Sequence, residues 1–465
     1  MSFKLPEINQ SAGHVSYYDY ASDTSFSTSR YFSALLEQDK ALKSLFNQGS
    51  SSGSLVRFVI NDADFIDCLA DIDKALSDFA ANKHFIICEL ALSQAFLEHL
   101  ISLEQCQQLR DLCALCDVII CSERLLSSIT DLQVKPQQSL QDANKVIRVL
   151  NIQTLIIENT DQTTWFYLDA DRQASFSSAL QETQQASSAR VMSFDNQHLP
   201  GQLSAAFACF KLFSKRNCDS LTLALAYINQ QDMHIWPSDL SNFGSLNSSI
   251  NAANLPAFAS TNTQSLGLYP VVDSLLWLEK LLDQGIKTIQ LRVKNVEPQR
   301  LDSLIEKAAL IGEKYNARLF INDYWQLAIK HRCYGVHLGQ EDLCSTDLVA
   351  IQKAGLRLGV STHSEYEWLR ALAIRPSYIA MGTVYTTQTK PAILIGLTNL
   401  RLWSKILADH IPLVAIGGIK LDNIDPVLKS GVGSIAVVTA ITLADDYQLA
   451  TQLLKEKQQR QFRCD

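Results

Sequence analysis

The chain has 465 residues, 47% hydrophobic and 19% charged, and its 40 basic and 48 acidic residues give a formal net charge of −8. That is ordinary globular composition, which excludes a disordered or fibrous chain, and the length predicts two or more domains. The acidic balance disfavours a general nucleic-acid binder but leaves room for a local basic pocket that takes a small anion.

No run approaches about 18 consecutive apolar residues, so no membrane-spanning helix is expected. The opening MSFKLPEINQSAGHVSYYDY lacks a hydrophobic core and is neither a secretory signal nor an arginine-rich transit peptide. Those features predict a cytoplasmic protein. The 11 cysteines are an odd number for a disulfide scaffold and are expected as free thiols in cores. Cys113 and Cys116 form a C-x-x-C pair, with Cys106 and Cys121 nearby. The four lack the second well-spaced pair of a structural zinc site, and Cys121 ends the apolar run DVIIC, which suits a buried strand.

Residues 1–54 carry little pattern and end in the loop-like GSSSGS. Over 55–235, short apolar runs alternate with helical patterns: VRFVI (56–60), HFIICEL (84–90), DVIIC (117–121) and TLIIEN (154–159). This alternation predicts an α/β layer on a largely parallel sheet. Residues 117–131, 139–159 and 198–229 (HLPGQLSAAFACFKLFSKRNCDSLTLALAYIN) resemble the hydroxymethylpyrimidine kinase branch of the ribokinase-like family. The resemblance implies a ribokinase-like domain, but a degenerate one. Where that family has a GTGC turn whose amides hold phosphate, this chain has Leu199, Pro200, Gly201 and Gln202. Proline has no amide to donate, and a glutamine is no base. Residues 236–264, rich in Ser, Asn, Ala and Pro, read as an interdomain linker.

From 265 to 465 the pattern sharpens. Eight short apolar runs appear at 267–272, 287–292, 317–322, 334–338, 356–361, 377–382, 412–417 and 434–439, separated by helical stretches. Eight strand–helix units predict a (β/α)8 barrel, with the active site at the carboxyl ends of the strands. At those ends stand Gln290, Arg292 and Lys294; Asn322 and Asp323; Gln340, Glu341 and Asp342; Ser361 with His363; Thr387 to Lys390; Gly417 and Gly418; and Val438 and Thr439. Asp323 and Asp342, on adjacent strands, suit a shared Mg²⁺. Arg292, Lys294 and Lys390 supply cations for a polyphosphate. The glycine pair and the turn after strand eight sit where such barrels bind a monophosphate through backbone amides.

The segments QLRVK (290–294), FINDYWQLAIKH (320–331), YGVHLGQEDL (334–343), LGVSTH (358–363), TQTK (387–390), VAIGGI (414–419) and GVGSIAVVTAI (431–441) fall in the order of one family. Residues 266–455 closely resemble the thiamine-phosphate synthases (thiamine-phosphate pyrophosphorylases). The resemblance implies a Mg²⁺-dependent transferase that joins hydroxymethylpyrimidine diphosphate to thiazole phosphate and releases pyrophosphate by a dissociative displacement. It implies that Gln290, Leu291, Arg292, Val293, Lys294, Asn322, Ser361 and Lys390 contact the pyrimidine diphosphate, with Lys294, Ser361 and Lys390 catalytic. Asp323 and Asp342 would bind the metal. Thr387, Gln388, Thr389, Gly418, Val438 and Thr439 would hold the thiazole phosphate.

The sequence departs from the family after Lys390, where Pro391 to Gly396 form a shorter, apolar loop in place of a proline-rich flap, and at Thr439, where serine is common. His363 is expected to pack or to support other groups, because the reaction needs no strong base. A thiazole tautomerase of the same superfamily is disfavoured by Asp323, Asp342 and Lys294 together, and a bifunctional kinase–synthase by the LPGQ turn. A non-catalytic precursor-binding regulator is disfavoured for the barrel by its metal ligands. Partners are expected to be small phosphorylated substrates. Homo-oligomer formation stays open, since the fused first half can block or replace a barrel contact.

Overall fold

A computed structural model describes residues 255–387 and 393–461 continuously, together with separate stretches between 17 and 247. The chain divides into two compact units, residues 1–249 and 250–465.

The first unit is built on an eight-stranded sheet in sequential order. Its strands are β1 (Tyr17–Tyr20), β2 (Leu55–Asn61), β3 (Phe85–Ala91), β4 (Val118–Ser122), β5 (Thr154–Glu158), β6 (Thr164–Asp169), β7 (Arg190–Ser193) and β8 (Ser245–Asn247). The strands from β1 to β5 run parallel, and β6, β7 and β8 continue the sheet antiparallel. The sheet is therefore mixed rather than largely parallel. Helices α1 (Leu103–Cys113), α2 (Glu123–Thr130), α3 (Gln202–Leu212) and α4 (Asn217–Asn229) accompany it. The core gathers Val56, Phe58, Ile86, Ile119, Leu125 and Leu155 with Cys88, Cys113 and Cys121, all nearly inaccessible. Burial pushes the Cys113 and Cys209 thiols up, and a hydrogen bond with Cys88 adds to burial at Cys116. These thiols behave as small apolar core groups.

The stretch 236–264 is divided rather than a free linker. Trp236 is buried against Phe210 and Phe213. Ser245–Asn247 closes the first sheet beside β7. Residues 255–263 lie on the second unit, where Phe258 N donates to Arg375 O at 3.0 Å and Ser377 Oγ donates to Ala259 O at 2.6 Å.

The second unit is a closed barrel of eight parallel strands: β9 (Gly267–Val272), β10 (Thr288–Leu291), β11 (Arg318–Asn322), β12 (Gly335–Leu338), β13 (Arg357–Thr362), β14 (Tyr378–Met381), β15 (Leu413–Ile416) and β16 (Ser434–Val437). β16 pairs with β9 and completes the ring. Each of the eight apolar runs is a strand. Such strands are covered on both faces, so they read as short continuous apolar segments. The helices between them begin with local signals. Ser274 Oγ accepts from Trp277 N, Ser364 Oγ from Glu367 N and Asp347 Oδ1 from Ala350 N, caps that contribute about 1 kcal/mol each. Pro298 opens the 17-residue helix Pro298–Lys314, where its missing amide costs nothing.

Candidate active site

A cavity of about 620 Å³ opens at the carboxyl ends of the barrel strands. It is lined by Gln290, Arg292, Val293, Lys294, Asn322, Asp323, Asp342, Ser361, His363, Thr387, Gly418, Val438 and Thr439, so the sequence-selected residues of seven strand ends meet in one place. Leu291 does not line it. Leu291 is 1% exposed and sits between Gln290 and Arg292, so strand alternation turns it to the opposite face. Gln388, Thr389 and Lys390 fall outside the described residues, as do Pro391 and Ala392.

The local geometry is specific. Asp323 has φ 66°, a left-handed conformation that Asp and Asn tolerate better than other residues with a Cβ. Its amide donates to His337 O at 3.0 Å. Asp342 Oδ2 accepts from Gly339 N at 3.2 Å. Asp323 and Asp342 thus bring two hard oxygen donors to the cavity that also holds Arg292 and Lys294. Two carboxylates suit Mg²⁺, whose shell is completed by water and substrate phosphate oxygens.

On the far side, Gly417 (φ 106°) and Gly418 (φ 64°) follow β15. A Cβ at Gly417 would lie 2.1 Å from Thr383 Cγ2, and one at Gly418 would lie 2.6 Å from Thr386 O. Only glycine fits both the backbone and the space. The loop after β14 returns through Thr383, which donates to Ile393 O at 3.0 Å and accepts from Ile395 N at 2.9 Å. Ile393 and Leu394 stand exposed beyond it.

His363 lines the cavity and is held by Glu367, whose Oε2 lies 2.8 Å from both His363 N and His363 Nδ1.

Among the lining residues that escaped the sequence reading are Tyr269, His337 and Tyr378. β13 explains their meeting. Gly359 stands opposite His337 on one side and Tyr378 on the other. A Cβ there would lie 2.1 Å from Tyr378 Cζ, so the glycine makes room for the ring. The His337 and Tyr378 rings then stack, with centroids 5.6 Å apart at 23°. Burial, with Arg292 and His363 adding to it, pushes His337 down to about 3, which keeps its imidazole neutral. Burial also raises the Tyr269 and Tyr378 phenols. The histidine inside an apolar strand, in YGVHL, was the one available signal.

Residues 268–441 match the family model described as thiamine monophosphate synthase. The thiamine-phosphate synthase of Yersinia pestis (strain Pestoides F) is 57% identical over 201 residues, covering 43% of this chain and 93% of that protein. The thiamine-phosphate synthase of Citrobacter koseri is 59% identical over 191 residues, covering 41% of this chain and 90% of its own length. The chain belongs to the thiamine-phosphate synthase family. It is an enzyme, a transferase, by that membership. Among solved structures, a thiamine phosphate pyrophosphorylase from Pyrococcus furiosus is 32% identical, with a TM-score of 0.39, covering 42% of this chain and 96% of that one. In the synthase unit, no described helix is long and apolar enough to cross a membrane, and the same holds for the described helices of the first unit.

Proposed function

We propose that the barrel condenses 4-amino-5-hydroxymethyl-2-methylpyrimidine diphosphate with 4-methyl-5-(2-phosphoethyl)thiazole, giving thiamine phosphate and pyrophosphate. One observation carries the assignment of roles. A single cavity unites Asp323 and Asp342 (with Asp273 and Glu341 also on its wall), the cations Arg292 and Lys294, a polar pair at Gln290 and Ser361, and a glycine turn. Arg292, Lys294 and Lys390 take the diphosphate, with Asn322 beside it. Asp323 and Asp342 would hold Mg²⁺, which when bound neutralises charge on the leaving pyrophosphate. The electron-rich aminopyrimidine stabilises the cation left as pyrophosphate departs, and the thiazole nitrogen attacks it. No base is needed, which suits a cavity whose interior histidine is neutral. Gly418, Val438 and Thr439, with Thr387, Gln388 and Thr389, hold the thiazole phosphate through amides and hydroxyls. The expected setting is the cytoplasm.

The first unit is read as a ribokinase-like layer that no longer transfers phosphate. At the start of α3, Ser204 N donates to Glu89 Oε2 at 3.3 Å, and Arg57 Nε donates to Ser204 Oγ at 2.9 Å. A carboxylate of the chain itself thus occupies an amide at a helix start, where an anion would otherwise be received. Leu199, Pro200 and Gly201 lie outside the described residues.

The deciding experiment is incubation of the full chain with both substrates, with and without Mg²⁺, following pyrophosphate and thiamine phosphate. Mg²⁺-dependent product is expected. No product with either would overturn the reading. Phosphorylation of the free pyrimidine alcohol by ATP would overturn the reading of the first unit.

A further inference from the structure

Five side chains lining the cavity form one unbranched hydrogen-bonded chain across the barrel interior. Gln290 Nε2 lies 3.3 Å from Tyr269 OH, and that hydroxyl lies 2.9 Å from Tyr378 OH. Tyr378 OH lies 2.7 Å from His337 Nδ1, and His337 Nε2 lies 2.8 Å from Ser361 Oγ. The three middle members are buried, with Tyr269 1%, Tyr378 0% and His337 7% exposed. Among the described residues the side chains of these five make no other hydrogen bond; the main-chain oxygen of Ser361 accepts separately from Gln340 Nε2 at 2.9 Å.

Proton counting restricts such a chain. Each phenol has one proton, and a neutral imidazole has one donor and one acceptor nitrogen. A buried lone pair facing a lone pair costs more than the bond is worth. All protons must therefore point the same way along the chain. In one sense Gln290 donates to Tyr269, Tyr269 to Tyr378, Tyr378 to Nδ1, and Nε2–H to Ser361. The carbonyl of Gln290 and the hydroxyl proton of Ser361 are then offered to the cavity. In the other sense every bond reverses, the amide of Gln290 turns over, and Ser361 offers only lone pairs. The two ends always present opposite character.

We infer that Tyr269, Tyr378 and His337 are positioning residues that tie Gln290 and Ser361 to opposite hydrogen-bonding senses, so that the cavity receives the amino group and neighbouring ring nitrogen of an aminopyrimidine with Gln290 accepting and Ser361 donating. This rests on the reading above that Gln290 and Ser361 face the pyrimidine. A ring with oxo in place of amino has the reverse edge, an acceptor beside an N–H, and takes the reversed chain. The imidazole tautomer of His337 therefore reports which edge is bound.

The test uses the full chain labelled with ¹⁵N-histidine, the His337 signal being the one lost in His337→Gln. With the aminopyrimidine diphosphate alone, the Nε2–H tautomer is expected; with its oxo analogue, the Nδ1–H tautomer. The same tautomer with both ligands overturns the inference. Kinetics on the same preparation separate this failure from failure of the functional reading, because wild-type protein that makes no product removes both. Tyr378→Phe, which cuts the chain without changing the ring, is expected to lower kcat/KM for the pyrimidine diphosphate about ten- to a hundredfold, while KM for the thiazole phosphate stays within about twofold. Tyr269→Phe serves if that variant does not fold. Equal losses toward both substrates would mark a structural role only and overturn the inference.

Discussion

Both units are α/β, one on a mixed sheet and one on a closed parallel barrel, yet they place their polar side chains in opposite ways. In the first unit, Arg57, Glu89 and Ser204 are buried and bond to one another where α3 meets the sheet. In the barrel, Gln290 and Ser361 reach the cavity wall with part of their bonding capacity turned toward open space. Arg292 and Lys294 stand at the same rim without a carboxylate partner among the described residues. Polar groups that satisfy each other make a scaffold. Polar groups gathered on a cavity with capacity to spare make a site. The contrast predicts that substitutions in one unit cost activity and those in the other cost stability.

The largest effect is expected at the cavity rim. Asp323→Ala and Lys294→Ala should each lower kcat/KM by about 10³-fold, as loss of a group that meets charge in the transition state does. The urea midpoint should move little for Lys294→Ala, whose side chain is exposed, while Asp323→Ala, also exposed, adds modest strain because alanine fits a backbone at φ 66° less well than aspartate. A loss of only a few fold in a steady-state pyrophosphate-release assay would sink the assignment of both residues.

Arg57→Leu tests the other half of the comparison. It removes a fully buried guanidinium and strips Ser204 Oγ of its donor. The first unit should lose about 3 kcal/mol of stability, read from the labelling of its buried thiols in urea. Synthase activity in the absence of urea should stay within about twofold. A collapse of activity in a still folded chain would mean that the first unit takes part in the reaction.

Much of this contrast was legible in the sequence, for physical reasons that differ between the units. Barrel strands are short and doubly covered, and four of them end at Asn322 or just before Gly339, Gly382 and Gly417, so each apolar run marked a strand and the polar residues after it marked the rim. Leu291 was read with the whole run QLRVK, whereas alternation sends the side chain of that second member outward, away from the cavity. Tyr269 and Tyr378 were invisible because an aromatic in an apolar strand reads as packing; only distance shows that its hydroxyl joins a chain. In the first unit the antiparallel strands β6, β7 and β8 went unread. β8 has three residues and is separated from β7 in sequence by α3 and α4, so no local pattern ties it to the sheet.

A smaller effect is expected at the phosphate turn. Gly418→Ala places a Cβ 2.6 Å from Thr386 O on a backbone at φ 64°. Strain of about 1–3 kcal/mol should appear, shared between the barrel's urea midpoint and a KM for the thiazole phosphate raised about tenfold. The KM for the pyrimidine diphosphate should hardly change. If the two KM values rise together, the turn does not belong to the thiazole phosphate.

The smallest effect separates the units by pH. Among the described residues, burial raises the thiols of Cys113 and Cys209 in the first unit and a hydrogen bond with Cys88, then burial, raises that of Cys116, while in the barrel burial pushes Cys333 up to about 12. A group whose folded pKa is raised gives stability that is complete below its unfolded value. As pH rises past about 9, the unfolded chain releases protons that the folded unit keeps, and each such thiol costs about 1.4 kcal/mol per pH unit. Three thiols against one make the first unit the more alkali-sensitive. The contrast lives between about pH 9 and pH 10, because above the ordinary phenol range Tyr269 and Tyr378 add the same slope to the barrel. Urea unfolding at pH 8, 9 and 10, followed by thiol labelling for the first unit and by synthase activity for the barrel, should show the first midpoint falling faster. Cys209→Ala should remove about a third of that extra slope. Parallel slopes in the wild-type chain would mean that these thiols do not stay protonated, and that the first unit's core is more open to water than its packing implies.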